Sequence, residues 1–195
     1  MNVKLLTSSQ TLHDMEYNAA LAALICRANT DKEFVPSEVL TRRIKENHGS
    51  VLEHINLTYS IEGLSRACLQ ELARHRLISL SVESTRYTLR KYLDGEDFDE
   101  RFDEYPASYL VDWLYKIAES NPDMPNDELK YYIPEFWPTN LILTSNIREL
   151  RHILNLRTAP NALKEFRVLA HALFDAVPDA FKYLLHDCVH EEVQA

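Results

Sequence analysis

Residues 55–87, INLTYSIEGLSRACLQELARHRLISLSVESTRY, change hydrophobic period twice. Ile55, Leu57, Tyr59 and Ile61 alternate with Asn56, Thr58, Ser60 and Glu62, which predicts a strand with one buried face and one that is wet or faces a site. After Gly63 the apolar residues Leu64, Cys68, Leu69 and Leu72 recur at helical spacing, so a helix is expected over LSRACLQELARHR. Arg74, His75 and Arg76 fall at its C-terminal end, where cations interact favourably with the helix dipole and would be solvated. Ile78, Leu80 and Val82 then alternate with Ser79, Ser81 and Glu83, an extended segment that Arg86 and Tyr87 continue.

Outward from this core, VKLLTS reads as a short opening strand, and Leu12, Met15, Ala19, Ala22 and Cys26 mark a helix from Thr11 to about Arg27. Ser37 is the expected cap of a second helix through Asn47, ended by Gly49. Tyr109, Leu110, Trp113, Leu114 and Ile117 mark another helix, closed by NPDMPND; a short helix near ELKYYIP and a strand through NLILT follow. From Asn146, the stripe Ile147, Leu150 and Leu154 turns inward and leaves Arg148 and His152 one turn apart on another face. The last strong helix carries Leu163, Phe166, Ala170, Leu173, Phe174 and Val177 inward and stops at Pro178. Helices packed around a small antiparallel or mixed sheet make the fold α+β. The 195 residues are expected to form one domain, 1–195, with an acidic variable segment at about 94–126.

Charge separates the middle of this chain from the rest. Arg74, Arg76, Arg86, Arg90 and Lys91 face only Glu83 between residues 74 and 91, a window of +4 in a chain of net charge -9. A local reversal of sign points to an anion held at one place and not to a polyanion along a face, so nucleic acid is not an expected partner. Only three glycines exist, Gly49, Gly63 and Gly95, and none forms a GxGxxG turn or a P-loop. Phosphates would be held by side chains, for which the arginine fork is suited. Cys26, Cys68 and Cys188 are far apart and odd in number, with no CxxC pair, and each is expected as a small buried apolar residue. No apolar run is long enough to span a bilayer and MNVKLLTSSQ lacks the features of a secretory signal, so no membrane partner and a cytoplasmic location are expected.

Three polar segments are left over from packing: HGSVLEH, RHRLISLSVESTRY and NIRELRHILNLRT. The middle one, Arg74-His75-Arg76 followed by LISLSVE and Ser84, resembles the signature of the flavin-dependent thymidylate synthases, RHR, seven residues and a serine. HGSVLEH resembles that family's segment before its first long strand, IEGLSRA its helix start, and NIRELRHILNLRT its second binding helix. The resemblance covers most of the chain but not the acidic middle. It implies reductive methylation of dUMP to dTMP, with methylenetetrahydrofolate as carbon donor, NADPH as reductant of FAD, and a homotetramer whose sites combine residues of different subunits.

By position, the resemblance assigns FAD contacts to Ser50, Arg74, His75, Arg76, Val82, Asn146, Ile147, Arg148 and His152. It assigns dUMP contacts to Glu71, Arg74, Glu83, Ser84, Thr85, Arg86, Lys130 and Arg157, with Arg157 as the catalytic residue that polarises the uracil. His48 and Tyr87 would meet the folate. Four positions depart from the family: Glu71 replaces a common glutamine, Val82 and Glu83 replace common polar residues, and Lys130 stands for an arginine, keeping the charge without the fork. No metal is expected. Two other readings remain: a flavin-binding homologue without catalysis, and a metal site at HDCVHE, where His186 and His190 would be one helical turn apart without a nearby third ligand.

Overall fold

The structure, a computed structural model, describes residues 1–29, 33–94 and 109–191. Strands β1 (Asn2–Leu5), β2 (Asn56–Ser65), β4 (Pro138–Asn146) and β3 (Ile78–Val82) lie side by side in that order, each neighbouring pair antiparallel. The alternation in β2 sets the faces. Leu57, Tyr59 and Ile61 are fully buried and pair with Ser145, Leu143 and Leu141 of β4, which pair in turn with Ile78, Leu80 and Val82 of β3. A period of two carries all of them to one face. The opposite face is largely polar, with the Thr58 and Thr144 hydroxyls 3.0 Å apart.

β2 does not end at Gly63. Gly63 adopts φ +72°, its N–H donates to Asn140 Oδ1 at 3.0 Å, and the register shifts between Ile61 and Leu64. Glycine enters this left-handed region without the Cβ penalty, and the bulge returns Leu64 and Ser65 to pairing with Thr139 and Pro138. The helix expected directly after Gly63 therefore begins at Arg66 as α3 (Arg66–Leu72), with Arg74 to Arg76 just beyond its end.

Helix α1 (Ser9–Ile25) is capped by Ser8, whose Oγ accepts from Thr11 N–H at 3.1 Å. Helix α2 (Pro36–Lys45) starts at Pro36 and not with a Ser37 cap, because the fixed φ of proline suits the first helical position. Asn47, at φ +56°, ends that region in place of Gly49, which opens a 3-10 turn, Gly49–His54.

The two helices that lead to Arg74 and Arg157 spring directly from strands. Ser65, last of β2, accepts from Cys68 N–H at 3.0 Å; Asn146, last of β4, accepts from Glu149 N–H at 2.8 Å and opens α7 (Ile147–Arg157). Such caps contribute about 1 kcal/mol each. Antiparallel pairing sends α3 and α7 off opposite ends of the β2–β4 pair, and their C-terminal ends meet. Helix α8 (Lys164–Asp175) closes this core with Phe166, Leu169, Ala170 and Leu173; Leu163 precedes it and is exposed, unlike the inward position expected.

A second apolar cluster forms where α4 (Thr85–Leu93), α5 (Tyr109–Ser120) and α6 (Asn126–Leu129) pack Leu89, Leu93, Val111, Leu114, Ala118 and Leu129 with Trp137. Arg86 and Tyr87 thus lie in the first turn of a helix and do not continue the extended segment. Leu89 and Leu93, one turn apart, gain burial only in helical form. In α5 the buried stripe is Val111, Leu114 and Ala118, while Tyr109 and Trp113 face outward. Of the acidic segment expected at about 94–126, residues 95–108 lie outside the described residues.

The chain after α8 makes 3-10 turns, Asp179–Leu184 and His186–Cys188, and then runs extended. His186 and His190 therefore do not share a helix; His190 Nε2 lies 3.0 Å from the Asn155 carbonyl oxygen. Cys26 is exposed, Cys188 half-buried and only Cys68 fully buried, which corrects the expectation of three buried thiols. No described helix is long and apolar enough to cross a membrane.

Candidate active site

Arg157, the last residue of α7, reaches back to the end of α3. Its Nη1 donates to Glu71 Oε2 at 3.0 Å and its Nε donates to His75 Nε2 at 3.1 Å. Its guanidinium carbon lies 4.6 Å from the centroid of the Phe166 ring. Arg74 Nη1 donates to the other Glu71 oxygen at 3.1 Å, so one carboxylate serves two arginines. The Arg74 hydrogen bond, and after it the one from Arg157, outweigh desolvation and hold the Glu71 carboxyl below its ordinary range. The negative charge that distinguishes Glu71 from glutamine is offset by these cations.

His75 is only 6% exposed. Its Nδ1 lies 3.3 Å from Glu149 Oε1, and its ring meets those of His152 and Phe166 edge-on, both with centroids 5.8 Å away. Burial, reinforced by the charge of Arg157, pushes its pKa down to about 4. The solvated helix end expected here is found for Arg74 and Arg76, which are exposed, and not for the histidine between them.

A second basic group stands at the start of α4. Ser84 occupies the N-cap position without a side-chain bond to the helix, and Thr85 and Arg86 form the first turn. The N–H groups of a first turn have no partner within the helix and, with the helix dipole, favour an anion. Arg86 Nε lies 2.6 Å from Asp127 Oδ1 and Lys130 Nζ lies 3.8 Å from the same oxygen. Asn126 Nδ2 donates to the Arg86 carbonyl at 2.8 Å, tying α6 to α4. Glu83 accepts from Asn140 Nδ2 at 2.8 Å, which turns its carboxylate toward the sheet. Tyr87 is 72% exposed.

The third group surrounds the turn before β2. His48 and Ser50 are exposed, and Arg148 Nη1 donates to Glu53 Oε1 at 2.5 Å. A Cβ on Gly49 would stand 3.5 Å from Arg148 Nε, so α7 and this turn are in contact. Ile147 is buried and its N–H donates to the Ile55 carbonyl at 2.8 Å, whereas His152 and Val82 are exposed. Among the described residues, no hydrogen bond or ion pair joins the Arg86 group to the Arg157 group. A groove of about 650 Å³ between α1 and α2, lined by Arg27, Phe34, Arg42 and Arg43 among others, contains none of these residues.

Three participants escape the sequence reading: Glu149, Asp127 and Phe166. Glu149 left a trace as the fourth residue of an Asn-x-x-Glu capping pattern. The other two left none, because their partners are distant in sequence.

An α+β fold that joins a buried histidine to the half-buried Arg157 and Glu71, with further arginines exposed, is suited to hold anionic ligands by side chains. The family described as thymidylate synthase complementing protein matches residues 5–181. A flavin-dependent thymidylate synthase of Campylobacter jejuni (strain RM1221) is 38% identical over 184 residues, covering 87% of this chain and 86% of that protein. The enzyme of that name from Wolinella succinogenes is 42% identical over 76% of this chain and 78% of its own length. The crystal structure of thymidylate synthase X from Helicobacter pylori with FAD and dUMP is similar with a TM-score of 0.84 and 33% identity, covering 98% of this chain and all of that one. The chain belongs to the flavin-dependent thymidylate synthase family.

Proposed function

We propose that this chain converts dUMP to dTMP by flavin-dependent reductive methylation, with FAD as cofactor, methylenetetrahydrofolate as carbon donor and NADPH as reductant. The observation that carries this reading is the convergence of Arg74 and Arg157 on Glu71, in a chain similar over nearly its whole length to a structure solved with FAD and dUMP.

The donors present fit the cofactor. Arg74, Arg76 and Arg148 are exposed cations, and Ser50 offers an exposed hydroxyl next to Gly49, which adjoins Arg148. With His75, Val82, Asn146, Ile147 and His152 they are the residues that would hold FAD. When bound, FAD supplies the hydride chemistry, and the protein supplies position and charge.

The start of α4 takes the dUMP phosphate in this reading: Ser84, Thr85 and the Arg86 side chain bind it, with Lys130 as a second cation. Asp127 must then yield or share its two partners. Glu71 and Glu83 border the nucleotide with charges already engaged by Arg74, Arg157 and Asn140. Arg157 stabilises negative charge developing on the uracil as C5 turns nucleophile toward the one-carbon unit. It needs no proton transfer for this, only a fixed position in a water-poor site. Cys68 is unsuited to nucleophilic attack, since it is fully buried and its thiol is pushed up to about 12, chiefly by burial. His48 and Tyr87, both exposed, would meet the folate.

The Arg86 and Arg148 groups are exposed in one chain, which supports a homotetramer that completes each site from neighbouring subunits. We place the enzyme in the cytoplasm, in keeping with three free cysteines, and read residues 1–195 as one domain. The test is purified protein with FAD, dUMP, methylenetetrahydrofolate and NADPH, which should give dTMP, tetrahydrofolate and dUMP-dependent NADPH oxidation. Flavin binding without dTMP formation would leave a flavin- and nucleotide-binding protein in place of the enzyme.

A further inference from the structure

We propose that Glu149 is a positioning residue for Arg157 that acts through the ring of His75, a role resting on the reading of Arg157 as the residue that faces the uracil. An arginine side chain has several rotatable bonds, so charge stabilisation at one place requires that it be held. Arg157 is held at three points: Glu71, His75 and the Phe166 face. The middle contact depends on chemistry that the other two lack. Arg157 Nε always carries a hydrogen, so His75 Nε2 can take part only as an acceptor. That requires a neutral ring with its proton on Nδ1.

Glu149 is the group that selects this tautomer. Its Oε1 lies 3.3 Å from Nδ1 and favours the proton there. With the proton on Nε2, two N–H groups would oppose each other across 3.1 Å and displace Arg157. The groups around the ring are Glu71 and Arg74 from the α3 side, Glu149, His152 and Arg157 from α7, and Phe166 from α8. Burial and the Arg157 charge keep the ring neutral, as its lowered pKa reflects.

A stabilising role alone explains Glu149 poorly. Its residue is 7% exposed, and among the described residues its carboxylate has no arginine or lysine partner, only the His75 contact and the neighbouring His152 on the next turn of α7. Burying a carboxylate beside histidine rings, with no arginine or lysine to pair it, costs stability, and that burial raises its pKa against the opposing effect of His152. A leucine at that position on α7 would pack without the cost.

The test uses full-length protein loaded with FAD. Nitrogen-15 NMR of labelled histidine should find His75 protonated at Nδ1 in the wild type and shifted toward Nε2–H in Glu149→Leu. Turnover should fall about tenfold or more in Glu149→Leu at unchanged flavin content, and Glu149→Gln should retain most of it, because an amide oxygen can face Nδ1 as the carboxylate does. In an Arg157→Ala background, Glu149→Leu should bring no further loss. A wild-type ring protonated at Nε2 overturns the proposal and leaves the enzyme reading intact, even if the leucine variant fails to fold. Independent, multiplying losses in the double variant overturn it as well. Near-normal turnover in Arg157→Ala alone would instead overturn the role of Arg157, and with it any catalytic reason for Glu149.

Discussion

Arg86 and Asp127 meet at 2.6 Å between α4 and α6, and Lys130 leans on the same carboxylate oxygen from 3.8 Å. The carboxylate stands where a phosphate would neutralise both cations. All three side chains are well exposed, so the pair contributes at most about 1 kcal/mol. Asp127→Asn should therefore tighten dUMP binding by up to about fivefold, with the gain shrinking at high salt. Calorimetric titration across a salt series measures this; weaker binding would mean that Asp127 preorganises Arg86 and does not compete with the ligand.

Arg157 at the end of α7 could be a plain C-terminal cation worth under about 1 kcal/mol, and its removal would then leave turnover nearly intact. Its half-buried position against Glu71, His75 and Phe166 argues for more. Arg157→Ala should lose on the order of 3–4 kcal/mol of transition-state stabilisation, a hundredfold or more in rate, while keeping FAD. Arg157→Lys should recover only part, since a point charge cannot serve Glu71 and His75 together. Flavin content and turnover measured on one preparation decide it.

Among the described residues the Arg86 and Arg157 groups of one chain share no ion pair or hydrogen bond. Mixing an inactive Arg86 variant with an inactive Arg157 variant should restore partial activity if the two belong to different subunits of one site. The check is activity after demonstrated subunit exchange. Exchange without recovery would place both residues in the same site from the same chain.

His75 links stability to pH. An unfolded histidine titrates near 6.5 and this one near 4, so between those values the unfolded chain binds a proton that the folded chain refuses. The His75 contribution is complete above about pH 6.5 and is lost as pH drops toward 4, by on the order of 3 kcal/mol. The Glu71 and Asp187 carboxyls, held low by arginine hydrogen bonds, add losses from about pH 5 downward. Thermal unfolding of wild type and His75→Gln between pH 4 and 7 should give a flatter curve for the variant.

Replacing Cys26, Cys68 and Cys188 together should leave measurable turnover. Only Cys68 is fully buried, and Cys68→Ala should account for most of any stability loss. A folded, flavin-loaded triple variant with no activity would point to a cysteine nucleophile.

The sequence by itself determined what depends on near neighbours. The alternation from Ile55 to Ile61 gave the central strand and its buried face, and the stripe Ile147, Leu150 and Leu154 gave α7. The sign reversal between Arg74 and Lys91, with so few glycines, pointed to anions held by side chains, and three separated motifs pointed to the family. The start of α4 was not legible, because SVESTRY suits a strand or a helix locally. Burial of Leu89 and Leu93 against Val111, Leu114 and Leu129 settled it through contacts some twenty to forty residues away. Likewise, RHR reads as three solvated cations until the end of α7 arrives to turn its histidine inward. That His75 accepts from Arg157, that Glu149 stands behind it and that Asp127 bridges Arg86 and Lys130 are products of chain crossing. Tautomer, burial and charge pairing are set by which groups come within about 3 Å, and for residues eighty positions apart only tertiary structure fixes that distance.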